Sequence, residues 1–411
     1  MKFISRRSLF LLTLGILFVV SSCRKEPDSF DSYQYLIDYQ KLNTLQNSFI
    51  AGFITTASIL YPEVLELQDS MTHSVAVYKL IYKTTYKGEQ IEASGLINVP
   101  MENGNFPILS FQNGTNTSHA KAPTESSSSS DMLLLSSLAS TGYILLIPDY
   151  IGFGTSEYLL HPYYQKETSN SAVLDFIIAA KEFIDHYDGA AGYTDEFFLM
   201  GYSQGGWATL AALEEIEHNP SSGLNIAATS CGAGAYDLMQ VSSYILDLDI
   251  FPGPLYLPYF IYSHQQYGTL SGDLSLFFQE PYASLIPSLF DGSHTNTQVN
   301  DQLTDSIAIL LNPEFIADFQ TDTAYAELRN ELSANSIEAW PVISQLRFYH
   351  GDEDLNVPPF ESENMYNEFL SRSGEEKVEH FVMSGLNHET GVVPWGVETI
   401  KWFSQERTND Q

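Results

Sequence analysis

The sequence predicts an α/β fold, a mostly parallel β-sheet with helices on both faces. Two observations predict it. Short apolar runs of strand length alternate along the chain with longer runs whose apolar residues recur at helical spacing. A glycine-flanked serine, in Gly201-Tyr202-Ser203-Gln204-Gly205, also stands where one such strand gives way to a helix. With 411 residues, 44% hydrophobic and 17% charged, the chain can bury a large core.

From Tyr35 to about Gln68 the pattern is mixed and mostly helical, with a break at Pro62. SVAVYKLIYKTTYKGEQIEASGLINVP then reads as two strands joined by a turn at Lys87-Gly88. FPILSF (Phe106–Phe111) is a short buried strand ending in the polar QNGTNTS. The serine-rich stretch from Ala122 to Asp131 is loop, and DMLLLSSLAST is a helix ending at Gly142. YILLIPDY is a buried strand, and SNSAVLDFIIAAKEFIDHY a helix with Ser or Asn available as its cap. EFFLMG, GGWATLAALEEIEHN and LNIAATSC read as strand, helix and strand.

The alternation stops near Ala235. It resumes with the strand SQLRFYHG (Ser344–Gly351), the helix PPFESENMYNEFLSR, the strand VEHFVMSG and a last helix through Trp402. The predicted core is therefore 35–234 and 341–408, with 235–340 inserted after the sixth strand as a cap. The insertion carries DIFPGPLYLPYFIYSHQQYG and LSLFFQEPYASLIPSLF, rich in aromatics and proline. Those residues read either as the apolar inner face of a lid or as the packing of the insertion onto the core.

The first residues have the character of a leader. MKFISRR is positively charged, and SLFLLTLGILFVV is apolar but short for a membrane span. VSSC, Val20 to Cys23, resembles a bacterial lipobox, which makes 1–22 a lipoprotein signal peptide and Cys23 the lipidated residue. Residues 23–34 read as a polar tether. The protein is then expected at the cell envelope, facing the periplasm or the surface, and touching membrane through that lipid only. Cys231 is the one other cysteine, so no intramolecular disulfide is expected. A balance of 18 Lys plus Arg against 51 Asp plus Glu argues against a nucleic-acid partner.

The pattern around Ser203 matches G-x-S-x-G, and its place between a buried strand and a helix is the one that motif needs. Gly201 and Gly205 remove the side chains that would clash across so sharp a turn. The alternative is a glycine-rich turn without chemistry. A serine hydroxyl needs a base, and the base an acid to orient it. On folds with this turn the acid and then the histidine follow the serine along the chain. His388, in MSGLNHET after the last strand, is the candidate base. Asp354, in YHGDEDLNVP, is the candidate acid, with Asp352 as the other possibility. The backbone N–H of Gln204 is one candidate oxyanion donor, and the second is placed at Thr115 in the FQNGT loop. No cofactor is called for, and no Cys/His spacing suggests a metal site.

With Ser203, Asp354 and His388 in that order, the chain resembles an α/β-hydrolase. IPDYIGFGTS resembles that superfamily's D-x-x-G-x-G-x-S segment. ASGLINVP, FPILSFQNGT, HPYY and GYSQGGWA extend the likeness to secretory lipases and related secreted bacterial serine esterases, from about Tyr78 to Trp402. Many relatives carry His-Gly where this chain has Asn113-Gly114. The resemblance implies cofactor-free ester hydrolysis through an acyl-enzyme, under a cap between strands six and seven. His161-Pro162-Tyr163 also recurs in it, with a structural role expected. Two other readings stay open: a serine aminopeptidase of the same fold, and a non-catalytic lipid- or glycan-binding lipoprotein.

Overall fold

The computed structural model describes residues 33–407; the leader and Cys23 lie outside them. Nine strands form one sheet: β1 (Leu36–Leu45), β2 (Val75–Tyr86), β3 (Glu89–Pro100), β4 (Gly104–Gln112), β5 (Ile144–Pro148), β6 (Ala191–Tyr202), β7 (Asn225–Gly232), β8 (Gln345–Gly351) and β9 (Val378–Met383). Their spatial order is β1-β2-β3-β5-β4-β6-β7-β8-β9. From β5 to β9 every pairing is parallel, whereas β1, β2, β3 and the β3–β5 pair are antiparallel. The parallel strands β4, β5 and β6 are apolar on both faces because helices cover both.

The alternation of side chains along each strand divides the core in two. Ile108, Leu146 and Leu199 point to the face covered by α3 (Lys166–His186) and α4 (Gln204–His218), where they meet Phe176 and Trp207. Leu109, Leu145 and Met200 point to the other face. There α1 (Asn47–Ala57), α2 (Ser130–Ser137) and α13 (Val392–Glu406) supply Ile50, Ala139 nearby, Trp395 and Phe403. Within the described residues this is the α/β-hydrolase arrangement, and the hairpin turn at Lys87-Gly88 sits where the sequence places it.

Three local readings need correction. Residues 36–45 are an edge strand and not part of a helical stretch. Their polar composition gives no apolar strand signal, and pairing with β2 decides the conformation. The Glu182 carboxylate of α3 accepts the N–H groups of Gln34, Tyr35 and Leu36, pinning the strand's start. Pro62 does not merely break a helix; it opens a 3₁₀ segment, Pro62–Ser70. In addition, α3 begins at Lys166, ahead of Ser169, because the Gln165 side chain accepts the Thr168 N–H as its cap.

Between β7 and β8 the chain is helical. It forms α5 (Leu238–Leu246), α6 (Tyr256–Tyr267), α7 (Tyr282–Leu289), α8 (Asn296–Asn300), α9 (Ile307–Leu310), α10 (Pro313–Asp318) and α11 (Ala326–Asn335). With β1 counted, this stretch follows the seventh strand in chain order. The last helix before β9 is α12 (Phe360–Ser373). Among the described residues no helix is long and apolar enough to cross a membrane.

Candidate active site

The site forms at the carboxyl ends of β6, β8 and β9, the end at which open α/β sheets bind ligands. Ser203 is the single residue between β6 and α4, with φ 60° and ψ −124°. That conformation is strained for a residue with a side chain and needs support from its surroundings. Its N–H donates to Gly232 O at 2.8 Å, and its carbonyl accepts from Gly206 N at 2.9 Å. A Cβ on Gly201 would lie 2.2 Å from Gly205 O, and one on Gly205 would lie 2.0 Å from Gln112 O. Both glycines are therefore required by close backbone approach. Gly206, which the motif does not include, is required too: its Cβ would come within 2.6 Å of Gly232 O.

Ser203, His388 and Asp354 are brought together across 185 and 34 residues of chain. His388 Nε2 is 2.8 Å from Ser203 Oγ, and His388 Nδ1 is 2.6 Å from Asp354 Oδ2. All three are buried. Because the carboxylate can only accept, Nδ1 carries the proton and Nε2 is left as the acceptor for the serine hydroxyl. The other carboxylate oxygen, Oδ1, accepts the N–H groups of Asn356 and Val357, each at 2.9 Å. Burial alone would raise the Asp354 pKa, but hydrogen bonds from His350 and His388 outweigh it and hold the carboxyl well below the usual range. Asp352 faces elsewhere, accepting from Gly385 N and Ser384 Oγ.

The loop carrying His388 is tied by its own side chains. Asn387 Oδ1 accepts from the N–H groups of Glu389 and Thr390. The Asn356 amide donates to Glu389 Oε1 at 3.1 Å, joining the acid loop to the histidine loop.

Gln204 is the first residue of α4, so no carbonyl one turn behind takes its N–H. Its side-chain Nε2 lies 2.8 Å from His161 Nε2, while His161 Nδ1 lies 2.7 Å from the Ile151 carbonyl. The carbonyl assigns the ring proton to Nδ1, so Nε2 accepts from the Gln204 amide. Burial lowers the His161 pKa to about 4, which keeps the ring neutral in that role.

At the candidate second donor, the Thr115 hydroxyl pairs with Tyr163 OH at 2.7 Å, and its carbonyl accepts from Asn296 of α8 at 2.7 Å. Gly114, one residue earlier, is the position that abuts the serine: a Cβ there would sit 3.7 Å from Ser203 Cβ. His161, His350 and Gly206 were not found as site residues from the sequence. The HPYY motif was the one available signal, for His161.

Comparison with known proteins agrees with this fold. Residues 118–258 match the model of the secretory lipase family. A Legionella pneumophila protein provisionally described as a hydrolase is 26% identical; the match covers 92% of this chain and all of that one, with a TM-score of 0.81. The rice cell wall degrading esterase LipA of Xanthomonas oryzae is 23% identical over 90% of this chain and 99% of its own, with a TM-score of 0.77. Lipase A of Candida antarctica is 16% identical over 92% of this chain and 84% of its own, with a TM-score of 0.65. No curated protein sequence matches the chain. The chain has the α/β-hydrolase fold and resembles secretory lipases, and the matches support a hydrolase of the lipase and esterase kind.

Proposed function

We propose that this α/β-hydrolase-fold chain is a serine carboxylic ester hydrolase acting through an acyl-enzyme on esters outside the cytoplasm. The observation that carries the reading is the buried series Ser203 Oγ, His388 Nε2, His388 Nδ1 and Asp354 Oδ2, linked at 2.8 and 2.6 Å. In this mechanism His388 takes the serine proton as Oγ attacks the ester carbonyl. Asp354 holds the ring in the Nδ1–H tautomer and stabilises the imidazolium that forms. The Gln204 N–H and a second N–H from the Gly114-Thr115 turn stabilise the oxyanion. His388 then protonates the departing alcohol, and water attacks the acyl-enzyme by the reverse route, with no cofactor required.

The helices between β7 and β8 serve as the cap, consistent with their contacts to the oxyanion loop through Asn296. The leader-like start of the sequence and the lipobox-like VSSC ending at Cys23 support a position at the cell envelope, held by lipid. There it would meet small-molecule esters or esters on polysaccharides. The match to a secretory lipase family supports an extracytoplasmic site.

The test is the initial rate on p-nitrophenyl esters from acetate to palmitate, with the Ser203→Ala protein as blank. Hydrolysis above the blank on at least one ester is expected. No rate above it on any of them would overturn the reading.

A further inference from the structure

Two cavities of very different size meet the candidate site. Ser203 lines a small one of about 60 Å³, whose walls include Tyr163, Tyr164, Leu238 and Phe260. A second cavity, of about 650 Å³, shares Gly114, Thr115 and Gln204 with the oxyanion wall. It also shares Glu389, Val392 and Val393 with the chain that follows His388. From there it runs between α2, α13 and the 3₁₀ segment at 62–70, among Leu135, Leu67, Met71 and Val397. Tyr61 lines it as well, and Lys121, Asp131 and Asp149 are charged exceptions in an otherwise mostly apolar lining. The size lies within the ~300–1,000 Å³ of ligand sites, and apolar walls continuous with a reaction centre suit an apolar substrate group.

We propose that the large cavity holds the alcohol half of the ester, an alkyl or other apolar alcohol, and that the small pocket restricts the acyl half to a short chain. The proposal rests on Ser203 as nucleophile and His388 as the acid that releases the alcohol. The acyl group becomes bonded to Ser203 and must fit the pocket that Ser203 lines. At ~10–15 Å³ per water-sized group, that pocket has room for an acyl chain of roughly four to six carbons. The leaving oxygen must lie beside His388 Nε2, and the residues that follow His388 are walls of the large cavity. An alkyl chain leaving on that side is removed from water by the aliphatic walls, at up to roughly a fourfold gain per methylene.

Two ester series separate the two halves. In p-nitrophenyl esters, kcat/KM should fall at least ~10-fold from butanoate to dodecanoate. In alkyl acetates, followed by acid release, it should rise at least ~50-fold from ethyl to octyl, well inside the roughly fourfold-per-methylene limit. Leu135→Trp and, independently, Val393→Phe should each lower the octyl-to-ethyl ratio by at least ~10-fold. Binding supplies a readout that needs no catalysis: by isothermal titration, the full-length Ser203→Ala protein should bind 1-octanol at least ~50-fold more tightly than 1-butanol, and Leu135→Trp added to it should abolish the difference. Flat alkyl-acetate rates with no preference for 1-octanol would overturn the proposal. A preference for long acyl chains that Leu135→Trp removes would also overturn it, because the large cavity would then hold the acyl half. If the wild type hydrolysed no ester while the octanol preference held, the catalytic reading would fall and the apolar occupant of the cavity would stand.

Discussion

His350 Nε2 lies 3.2 Å from Asp354 Oδ2, the same oxygen that meets His388 Nδ1 at 2.6 Å. Two histidines therefore converge on one carboxylate oxygen. The His350 ring is fixed at both nitrogens: Nε2 also meets the Val357 carbonyl at 3.0 Å, and Nδ1 meets Ser362 Oγ at 2.7 Å. The carbonyl puts the proton on Nε2, so His350 donates toward Asp354 while Nδ1 accepts from Ser362.

In the proposed mechanism His350 is thus a positioning residue, acting on the reaction through Asp354. His350→Gln should lower kcat by roughly 10- to 150-fold, the equivalent of one charge-assisted hydrogen bond at ~1.5–3 kcal/mol, with KM little changed. A KM effect with kcat intact would contradict the assignment. Steady-state kinetics on p-nitrophenyl acetate at constant pH separates the two.

Removing the proposed reacting groups themselves should cost far more. Ser203→Ala and His388→Ala should each lower kcat by at least ~10³-fold, and the double variant should be little worse than either, because the groups act as a unit. Circular dichroism melts should show both variants folded, which attributes the loss to chemistry.

The elbow has no room for a side chain at its second glycine. A Cβ on Gly205 would lie 2.0 Å from Gln112 O and 2.8 Å from Asn113 O, both backbone atoms that cannot swing aside. Gly205→Ala should destabilise the protein by at least ~2 kcal/mol and abolish activity, since relief of the clash must shift the loop that faces Ser203. Urea unfolding of this variant beside Ser203→Ala checks it.

Stability should carry a pH signature from Glu361, a buried carboxyl on α12 whose Oε2 accepts the N–H groups of Tyr236 and Asp237 where the helical segment leaves β7. Burial raises its pKa from 4.5 to about 8, with those two hydrogen bonds opposing in part. Between these values the folded chain keeps a proton that the unfolded chain has lost, so this group's contribution is full below 4.5 and declines as pH rises toward 8. His161, with its pKa lowered to about 4, acts in the opposite sense and only below the ordinary histidine range. The Tm of the wild type minus that of Glu361→Gln should therefore fall by roughly 5 °C from pH 5 to pH 8. A constant difference across that range would contradict it.

The interior strands were legible because helices on both faces make β4, β5 and β6 continuous apolar runs. β1 was not, since it lies at the sheet edge and its conformation depends on β2 and on Glu182, which is far away in sequence. Ser203, His388 and Asp354 could be picked out because each follows an apolar strand in a fixed order along the chain. His350 could not: it reads as an ordinary residue inside β8, and only the fold of the acid loop turns its ring toward Asp354. The requirement for Gly206 depends on where β7 ends, and the positions of Gly114 and Thr115 depend on Asn296 of α8. Contacts of that kind leave no trace in local sequence.

The most direct test of the central claim is covalent labelling of the full-length protein with a fluorophosphonate, followed by peptide mass spectrometry. The account predicts one adduct, on the peptide containing Ser203, formed quickly by the wild type and at least ~10³-fold more slowly by His388→Ala. A folded wild-type protein left unlabelled, or labelled with equal speed at a different residue, would contradict it.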